Sequence, residues 1–270
     1  MPDSRAFTLA AADAEGATIN QPTTISVVIP AKDDAELLER CLLALARQTR
    51  PADEIVVVDN ASTDDTAARA RRLGASVISE TEIGIPAAAS AGYDRATGDI
   101  IARLDADCIP ADDWLENIEA GFAESPEAAA LTNGAYFIDG PPWVRPFANL
   151  IYLGAYFSIV FLALGHPPLF GSNLAIRRSA WEAVRSDVHR GDAMVHDDLD
   201  LSFHLGPELV IRRDRRLGMG ISMRPFFDGK GWVRLVRGVR SIAIHWPGEL
   251  PWSRFIRARR VRAAQKVASA

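Results

Sequence analysis

Apolar and polar positions follow two different periods along the first part of the chain. Residues 25–30 (ISVVIP) and 54–60 (EIVVVDN) are short β-branched runs, whereas residues 36–48 place apolar side chains at 37, 38, 41, 42 and 45. Short runs of Val and Ile predict buried strands, and the three-to-four spacing predicts a helix. The Val run in 54–60 is typical of a parallel strand that is covered on both faces.

The alternation continues as far as residue 107. Residues 62–74 begin with an N-cap residue and acidic side chains, continue with basic ones and end at a glycine, which predicts a helix. Residues 75–80 predict a third strand, 86–98 a third helix and 99–107 a fourth strand. This order predicts an α/β fold with right-handed crossovers and a mostly parallel central sheet flanked by helices.

Several predicted strands end in residues suited to ligand binding, namely Pro30, Asp59 and the pair Asp105 and Asp107. In open α/β sheets, ligands bind outside the carboxyl ends of the strands. Two neighbouring carboxylates repel each other unless a cation lies between them, and Mg²⁺ or Mn²⁺ typically uses one or two carboxylates together with substrate phosphate oxygens. The pair therefore predicts a divalent-cation site, and the alternative is a solvated turn that caps the next helix.

The amino-acid composition indicates a globular protein without disulfide bonds. The 270 residues are 48% apolar and 24% charged, which is typical of a globular protein with a substantial core. The two cysteines, Cys41 and Cys108, give neither a disulfide framework nor a zinc motif and suit a reducing cytoplasm. Residues 1–23 have acidic residues and no long apolar stretch, so we expect a poorly ordered leader rather than a secretory signal.

Charge is distributed unevenly. Residues 207–270 contain 15 Lys and Arg against 4 Asp and Glu, whereas the rest of the chain contains 15 against 31. An acidic body with a basic tail indicates contact with phosphates of a ligand or of a membrane surface, and not with nucleic acid, which the body would repel. We therefore expect one catalytic domain at 24–206 and a basic helical C-terminal extension at 207–270.

Four blocks of the sequence together resemble a known family. They are SVVIPAKDD, EIVVVDNASTDDT, DIIARLDADCIPADD, and GSNLAIRRSAWEAV followed by VHDDLDLSFHL. In this order they resemble the inverting family-2 glycosyltransferases of the GT-A fold, over roughly residues 25–205. The resemblance implies a Rossmann-like sandwich that moves a sugar from a UDP-, GDP- or dTDP-sugar donor to an acceptor hydroxyl, with Mn²⁺ or Mg²⁺ as cofactor.

The resemblance also implies a role for individual residues. The implied donor-binding residues are Pro30, Ala31, Asp33, Asp59, Asn60, Asp105, Ala106 and Asp107. Among them, Asp105 and Asp107 are the implied metal ligands. The acceptor-side residues are Gly171, Ser172, Asn173 and Asp197, and the general base is Asp198. These roles suit the chemistry, because a cation stabilises the charge on the leaving diphosphate and inversion needs a carboxylate that takes the acceptor proton.

Some positions depart from the family pattern. Lys32-Asp33-Asp34 stands where Tyr-Asn-Glu is common, and Ala89 and Ser90 stand where Arg and Asn are usual, so some donor contacts must come from elsewhere. A Gln-x-x-Arg-Trp motif is absent from the sequence, which argues against a processive synthase. A third metal ligand is not identifiable, although His245 is a candidate if it is not simply structural.

The segment 147–165 is apolar and long enough to cross a membrane. A single span would put Asp105 and Asp198 on opposite sides of the bilayer, so two interpretations remain. The segment is either a buried helix or oligomer contact, or a helix that rests in the membrane near a lipid-linked acceptor.

The basic tail bears on the same question. Residues 231–246 and 254–266 combine Arg with Trp, Phe and aliphatic residues, which suits an anionic bilayer surface or, alternatively, solvated helices packed on the sheet. A further possibility is a flexible lid over the donor diphosphate formed by Arg212, Arg213, Arg215 and Arg216.

We therefore expect an enzyme of glycolipid or cell-envelope polysaccharide synthesis with a lipid-linked or saccharide acceptor. Its expected location is the cytoplasm, with peripheral contact at the inner face of the cell membrane. The rival classes are an inactive membrane-associated scaffold of the same fold and a nucleotidyltransferase. A nucleotidyltransferase is expected to have a Gly-rich loop after the first strand, where this chain has PAKDD. A dehydrogenase is disfavoured because G-x-G-x-x-G does not follow the first strand.

Overall fold

The computed structural model describes residues 22–227, 229 and 231–268. Nearly all of the predicted leader at 1–23 lies outside the described residues. The first half of the chain alternates strands and helices as the apolar pattern predicts. The elements are β1 (Ile25–Ala31), α1 (Ala35–Leu45), β2 (Glu54–Asp59), α2 (Thr66–Arg72), β3 (Ser76–Ser79), α3 (Ile85–Arg95) and β4 (Ile100–Arg103).

The middle of the chain has shorter strands and one long apolar helical segment. Its elements are β5 (Ile109–Pro110), α4 (Trp114–Glu124), β6 (Ala128–Thr132), β7 (Tyr136–Phe137), α5 (Arg145–Ala148), a π-helical turn (Asn149–Leu153) and α6 (Gly154–Leu164). The remaining elements are β8 (Leu174–Arg177), α7 (Arg178–Val184), α8 (Asp197–Leu205), β9 (Val210–Arg213), β10 (Met219–Ile221), a 3₁₀ turn (Arg224–Phe226), α9 (Gly231–Ala243) and α10 (Pro251–Ala268).

A seven-stranded sheet forms the centre of the molecule, in the order β3-β2-β1-β4-β8-β6-β9. The strands β1 to β4 pair in parallel, and β8 is antiparallel to both β4 and β6. The register places Ala31 opposite Asp59 and Val28 opposite Arg103. The carboxyl ends of β1, β2 and β4 therefore lie side by side at one edge of the sheet.

The two faces of the sheet are covered by different helices. On β1, Val27 and Ile29 pack in one cluster with residues of α1 and α4, while Val28 packs in another cluster with residues of α3, α7 and α8. This alternation is the two-residue period of a strand that is buried on both sides. Helix α3 approaches the sheet closely at Gly92, where a Cβ would overlap Val28 Cγ1.

A second sheet of three short strands has the order β5-β10-β7. It joins segments far apart in the chain, because Gly220 pairs with both Ile109 and Tyr136. Part of the predicted extension at 207–270 thus belongs to the two sheets, through β9 and β10, and only the part after β10 is purely helical or irregular.

Arg254 connects the C-terminal helix α10 to the rest of the molecule. This side chain on α10 is fully buried and donates hydrogen bonds to the carbonyl oxygens of Leu164, Phe203 and Gly206 at 2.9, 3.2 and 2.6 Å. Its guanidinium also lies 4.7 Å from the ring centroid of Phe203. A buried charge with several hydrogen bonds fixes α10 against α6 and α8.

The apolar helical segment is mostly exposed. Helix α6 packs Val160 and Leu164 against Leu199 and Phe203 of α8. Only 24% of the apolar window in Arg145–Leu164 is buried, and by length and composition alone this helix could cross a membrane. The exposed large apolar side chains of this segment include Phe147, Leu150, Ile151, Ile159, Phe161 and Leu162. The interpretation of 147–165 as a buried helix is therefore wrong for the described chain, because one face alone contacts the core.

Candidate active site

Asp105 and Asp107 lie just beyond the carboxyl end of β4. One oxygen of Asp105 accepts a hydrogen bond from Arg103 Nη2 at 2.8 Å, and the other accepts one from Ser172 Oγ at 2.6 Å. Oxygens of Asp105 and Asp107 and the sulfur of Cys108 all lie within 4.8 Å of one another. The strand end thus brings two carboxylates together beside the loop that precedes β8.

Asp107 is held in an environment that disfavours its charge. Burial, with repulsion from Asp105, raises the pKa of Asp107 to about 6, although Arg224 acts in the opposite direction. A pair of crowded carboxylates that resists ionisation fits a hard divalent cation, which supplies the missing positive charge. Cys108 is a poor additional ligand, because burial raises its thiol pKa well above the usual range.

Arg224 reaches this site from the 3₁₀ turn after β10. Its guanidinium lies 2.6 Å from Asp34 and 3.4 Å from Asp107. The four arginines suggested as a lid lie differently: Arg212 and Arg213 are part of β9, and Arg216 pairs with Glu124 and Asp214. The lid prediction is wrong for these three, and the cation that the tail brings to the donor side is Arg224.

Arg103 connects the two ends of the site and was missed by the sequence analysis. Its side chain is 2% exposed and lies 2.8 Å from Asp105 and 2.9 Å from Asp197. Burial opposes its charge, but Asp197 and Asp105 hold the pKa of Arg103 well above its usual range. The available signal was a charged residue inside the apolar strand IIAR, which a buried strand rarely contains without a partner.

Gly171 makes room for Arg103. A Cβ at this position would overlap Nη1 of the guanidinium, so a residue with a side chain would displace it. The backbone N–H of Gly171 donates a hydrogen bond to Oδ2 of Asp198 at 2.8 Å. The next residue, Ser172, donates to Asp105, so adjacent residues contact the predicted metal ligand and the predicted base.

Asp198 lies in the first turn of α8, where its other oxygen accepts a hydrogen bond from the N–H of Leu199 at 2.8 Å. Its neighbour Asp197 points towards Arg103. Burial raises the pKa of Asp197 to about 6, against the attraction of Arg103 and with repulsion from Asp198 and Asp105. The two acids therefore differ: Asp197 belongs to an ion pair with Arg103, whereas Asp198 is held by main-chain donors.

The loops after β1 and β2 are tied to each other on the donor side. Lys32 Nζ donates to the carbonyl oxygens of Asn60 and Ala61 at 3.1 and 2.7 Å, and Asp33 accepts hydrogen bonds from both the N–H and hydroxyl of Thr63. Asp33 adopts a φ of 52°, a conformation that L residues rarely adopt. Lys32, at the position where an aromatic residue is common, therefore braces this loop.

Three predicted site residues are buried, and the side chains of two of them are hydrogen-bonded to neighbouring loops. Asn60 donates to the carbonyl oxygens of Glu80 and Glu82 and accepts from the N–H of Gly84. Asn173 is fully buried, with its amide bonded to main-chain carbonyls and its oxygen to Trp114 Nε1. Ala106 is 3% exposed. Direct side-chain contact with a ligand is thus not available to Asn60 and Asn173, which instead position the loops.

The other predicted residues lie at the edge where a ligand is expected. Pro30 and Asp59 are half-buried at the ends of β1 and β2, and Ala31 is almost completely buried between them. Asp59 accepts a hydrogen bond from the N–H of Ser62 at 3.3 Å. His245, the candidate third metal ligand, does not join the group of Asp105, Asp107 and Cys108; its ring lies 3.1 Å from Asp200, in a separate cluster.

An apolar groove opens between α6 and α9 next to the start of α8. It has a volume of about 560 Å³. Its walls include Ile159 and Val160 of α6, Leu235 and Val239 of α9, and His196, which directly precedes Asp197. The groove was missed by the sequence analysis, because it forms between helices that are some 70 residues apart in the chain.

Curated relatives resemble parts of this chain. Glycosyltransferase AglE of Haloferax volcanii is 38% identical over 100 residues, which are 34% of this chain and 33% of the relative. An uncharacterized glycosyltransferase of Mycobacterium tuberculosis is 42% identical over 127 residues, which are 47% of this chain and 51% of the relative. The chain therefore spans between a third and a half of the length of these relatives.

Solved structures share the fold. The mannosyltransferase PcManGT from Pyrobaculum calidifontis, solved in complex with GDP-Man and Mn²⁺, has a TM-score of 0.59 and 20% identity, covering 93% of this chain and 77% of that one. This likeness confirms the predicted GT-A architecture. The model of glycosyl transferase family 2 matches residues 26–185, well over half of the chain. The chain therefore belongs to glycosyl transferase family 2.

Proposed function

We propose that the protein is a divalent-cation-dependent, inverting glycosyltransferase that moves a sugar from a nucleoside-diphosphate donor to an acceptor hydroxyl. One observation carries the proposal: Ser172 donates a hydrogen bond to Asp105 and the adjacent Gly171 donates one to Asp198. A carboxylate pair suited to a cation and a separate carboxylate suited to proton transfer are thereby held by two consecutive residues.

The donor side rests on Asp105 and Asp107, which would hold Mn²⁺ or Mg²⁺. Their crowding and the raised pKa of Asp107 support this role, and the related mannosyltransferase was solved with Mn²⁺. When bound, such a cation supplies Lewis-acid stabilisation of the charge on the departing diphosphate. Arg103 keeps Asp105 oriented, and Asp33 with Lys32 braces the loop expected to line the nucleotide.

Asp198 is the proposed general base. Hydrogen bonds from two main-chain N–H groups orient its carboxylate, so it can take the proton of an acceptor hydroxyl without rearranging. Asp197 is less suited to this step, because it is committed to Arg103 in a buried ion pair. A single carboxylate that is held by main-chain donors and placed apart from the carboxylate pair supports direct displacement, and therefore inversion.

The proposed acceptor is lipid-linked. The groove between α6 and α9 starts at His196 and is lined mainly by apolar side chains, which suits the hydrocarbon part of such an acceptor. Arg234 lies in the groove wall and offers a positive charge for a phosphate of the lipid carrier. Leu235 and Val239, which are exposed on α9, line this groove together with the exposed Ile159 of α6, so both helices could rest on the cytoplasmic face of an anionic membrane.

The donor part is tested by differential scanning fluorimetry and a nucleotide-release assay with a panel of UDP-, GDP- and dTDP-sugars. We expect one nucleotide family to raise the Tm only when Mn²⁺ or Mg²⁺ is present, and one of its sugars to release nucleotide. Asp198→Asn should retain the Tm shift while turnover falls by about 10²- to 10⁴-fold.

The matched control is Glu182→Gln, an acid-to-amide change at a half-exposed side chain on α7 that pairs with Arg178. This variant should behave like the natural protein in both assays. Turnover of Asp198→Asn within threefold of the natural protein would refute the base assignment, and the absence of any metal-dependent nucleotide response would refute the enzyme proposal.

The acceptor part is tested by sedimentation with vesicles of phosphatidylglycerol and phosphatidylcholine. Replacing Leu150 and Ile151 of the π-helical turn by Asp should reduce the bound fraction several-fold, because both side chains are exposed apolar groups. Leu43→Asp, at an exposed apolar position on α1, is the control and should bind as before. Equal binding by all three proteins would refute the membrane contact.

A further inference from the structure

Three histidines surround Asp200, which lies in the first turn of α8. Oδ1 of Asp200 lies 2.7 Å from His189 Nδ1, 3.1 Å from His245 Nε2 and 3.4 Å from His204 Nε2. All four potential ligand atoms lie within 4.8 Å of one another. The residues come from the loop before α8, from α8 itself and from the turn after α9.

Hydrogen bonding within the cluster leaves ring nitrogens unsatisfied. Asp200 is 97% buried, and its oxygens accept hydrogen bonds from the backbone N–H and Nδ1 of His189. Within the described part of the chain, the buried Nε2 atoms of His204 and His245 make no hydrogen bond of regular geometry, although they lie 3.4 and 3.1 Å from Oδ1 of Asp200; the side chain of His245 is 6% exposed. Buried polar atoms are normally satisfied, so these nitrogens point to a ligand between them.

We propose that His189, Asp200, His204 and His245 bind one Zn²⁺ ion, at a site separate from the carboxylate pair at Asp105 and Asp107. Ligands about 2.0 Å from a tetrahedral Zn²⁺ lie about 3.3 Å from one another. The three oxygen-to-nitrogen distances are close to this value, so small rotations of the side chains complete the site. Three imidazoles favour zinc over the hard cations, which prefer oxygen.

The surroundings support ligand roles. Asp200 and His204 are four residues apart on α8, so both face the same side of the helix. The ring of Phe203 stacks on His245 with centroids 4.1 Å apart, which fixes the orientation of the imidazole. The four protein ligands leave no open position, which is the arrangement of a structural zinc site and not of a catalytic one.

Zinc at this position would join three segments that frame the candidate active site. His196 N–H donates to Ser241 Oγ at 2.8 Å, and Arg237 of α9 donates to the carbonyl oxygen of Val195 at 2.9 Å. The ion adds a stronger link among the same segments and so holds the helix that carries Asp198 against the wall of the apolar groove. This inference does not depend on sugar transfer.

The test uses the full chain, stripped with a chelator and reloaded with Zn²⁺ in excess Mg²⁺, which saturates an oxygen site. After desalting, elemental analysis should find about one Zn²⁺ per chain, and adding Zn²⁺ should raise the Tm beyond the value reached in excess Mg²⁺ alone. His204→Gln and His245→Gln should each weaken Zn²⁺ binding by more than about 100-fold.

Two control variants should keep the zinc: His196→Gln, which changes a histidine outside the cluster, and Asp107→Asn, which changes the carboxylate pair. Co²⁺ bound to the unaltered protein should give the intense visible absorption of a tetrahedral site, and this readout does not depend on the variants folding. Failure of the unaltered protein to bind Zn²⁺ or Co²⁺ would overturn the proposal, as would loss of zinc in Asp107→Asn but not in His245→Gln.

Discussion

Asp107 and Asp200 are two buried aspartates in opposite surroundings. Asp107 has another carboxylate beside it, and burial with this repulsion raises its pKa to about 6. Asp200 is buried even more deeply, yet its polar contacts with His204, His245 and His189 overcome the burial and lower its pKa. Burial alone therefore does not decide the charge of a carboxylate in this protein; the neighbouring groups do.

The difference separates two kinds of cation site. At Asp107 the negative charge is in excess, and a hard divalent cation with phosphate ligands can relieve it. At Asp200 the carboxylate is surrounded by imidazole nitrogens, which are ligands that transition metals prefer. The carboxylate pair at Asp107 therefore destabilises the folded protein when no cation is bound. The cluster around Asp200 stabilises the fold even without a metal ion.

The largest effect that tests this comparison is expected for Asp200→Asn in the metal-free protein. Removing the carboxylate leaves buried imidazoles without their partner, so we expect the free energy of unfolding to fall by about 3 kcal/mol at pH 7.5. Because the pKa of Asp200 is lowered on folding, its contribution is present above the unfolded pKa of about 4 and is lost as the pH falls through the folded pKa. Urea unfolding in EDTA measures the change.

The same experiment contains its own check. If Asp200→Asn unfolds at the same urea concentration as the natural protein at pH 7.5, the histidines do not stabilise the carboxylate, and the contrast between the two sites is wrong.

Asp107→Asn should change stability in the opposite direction. The folded pKa of Asp107, about 6, exceeds its unfolded value. Ionisation of Asp107 therefore lowers the free energy of unfolding: the loss begins as the pH rises through the unfolded pKa and is complete above pH 6. We expect the metal-free variant to be more stable by about 2 kcal/mol at pH 7.5 and by about a third of that near pH 4.5. Urea unfolding in EDTA at both pH values measures the difference.

Saturating Mn²⁺ should reverse the order, because only the natural protein regains the full ligand set. Asp112→Asn, at a 63% exposed side chain, is the control and should show no comparable gain. A destabilised Asp107→Asn in EDTA would contradict the excess negative charge assigned to the pair.

The smallest effect is expected for Arg224→Gln. The half-exposed guanidinium faces Asp34 and Asp107, so its loss should change the free energy of unfolding by less than about 1 kcal/mol. At pH 8, Mn²⁺ should bind the variant about two- to fivefold more tightly, since a competing positive charge is gone. Isothermal titration calorimetry measures this, with Arg47→Gln as an exposed control; weaker Mn²⁺ binding would mean that Arg224 assists the cation.

The sequence was sufficient for the parts of the fold that depend on local patterns. The elements from β1 to β4 follow from apolar periodicity, and the position of Asp105 at a strand end followed from the same pattern. The second sheet was not predictable in this way, because its strands are two or three residues long and pair across more than 80 positions. Short strands carry too little periodicity to be distinguished from loops.

The candidate site shows the same division. Motif order predicted roles for Asp105, Asp107 and Asp198, whereas the position of Arg224 and the grouping of His189, His204 and His245 depend on how distant segments pack. Asn60 satisfied the family pattern, but its amide is used by the loop at Glu80 and Glu82. A sequence motif identifies the residue type at a position and leaves open which way its side chain turns.

Because Gly171 has no side chain, Arg103 can occupy the space beside it, and this constrains both the donor side and the acceptor side of the proposed enzyme. The guanidinium that fills this space touches an acid on either side, so a larger residue at 171 would disturb sugar-nucleotide binding and proton removal in a single step. Evolution or engineering that adapts the acceptor end to a new substrate must therefore leave this position alone, and diversity is to be sought in the walls of the groove.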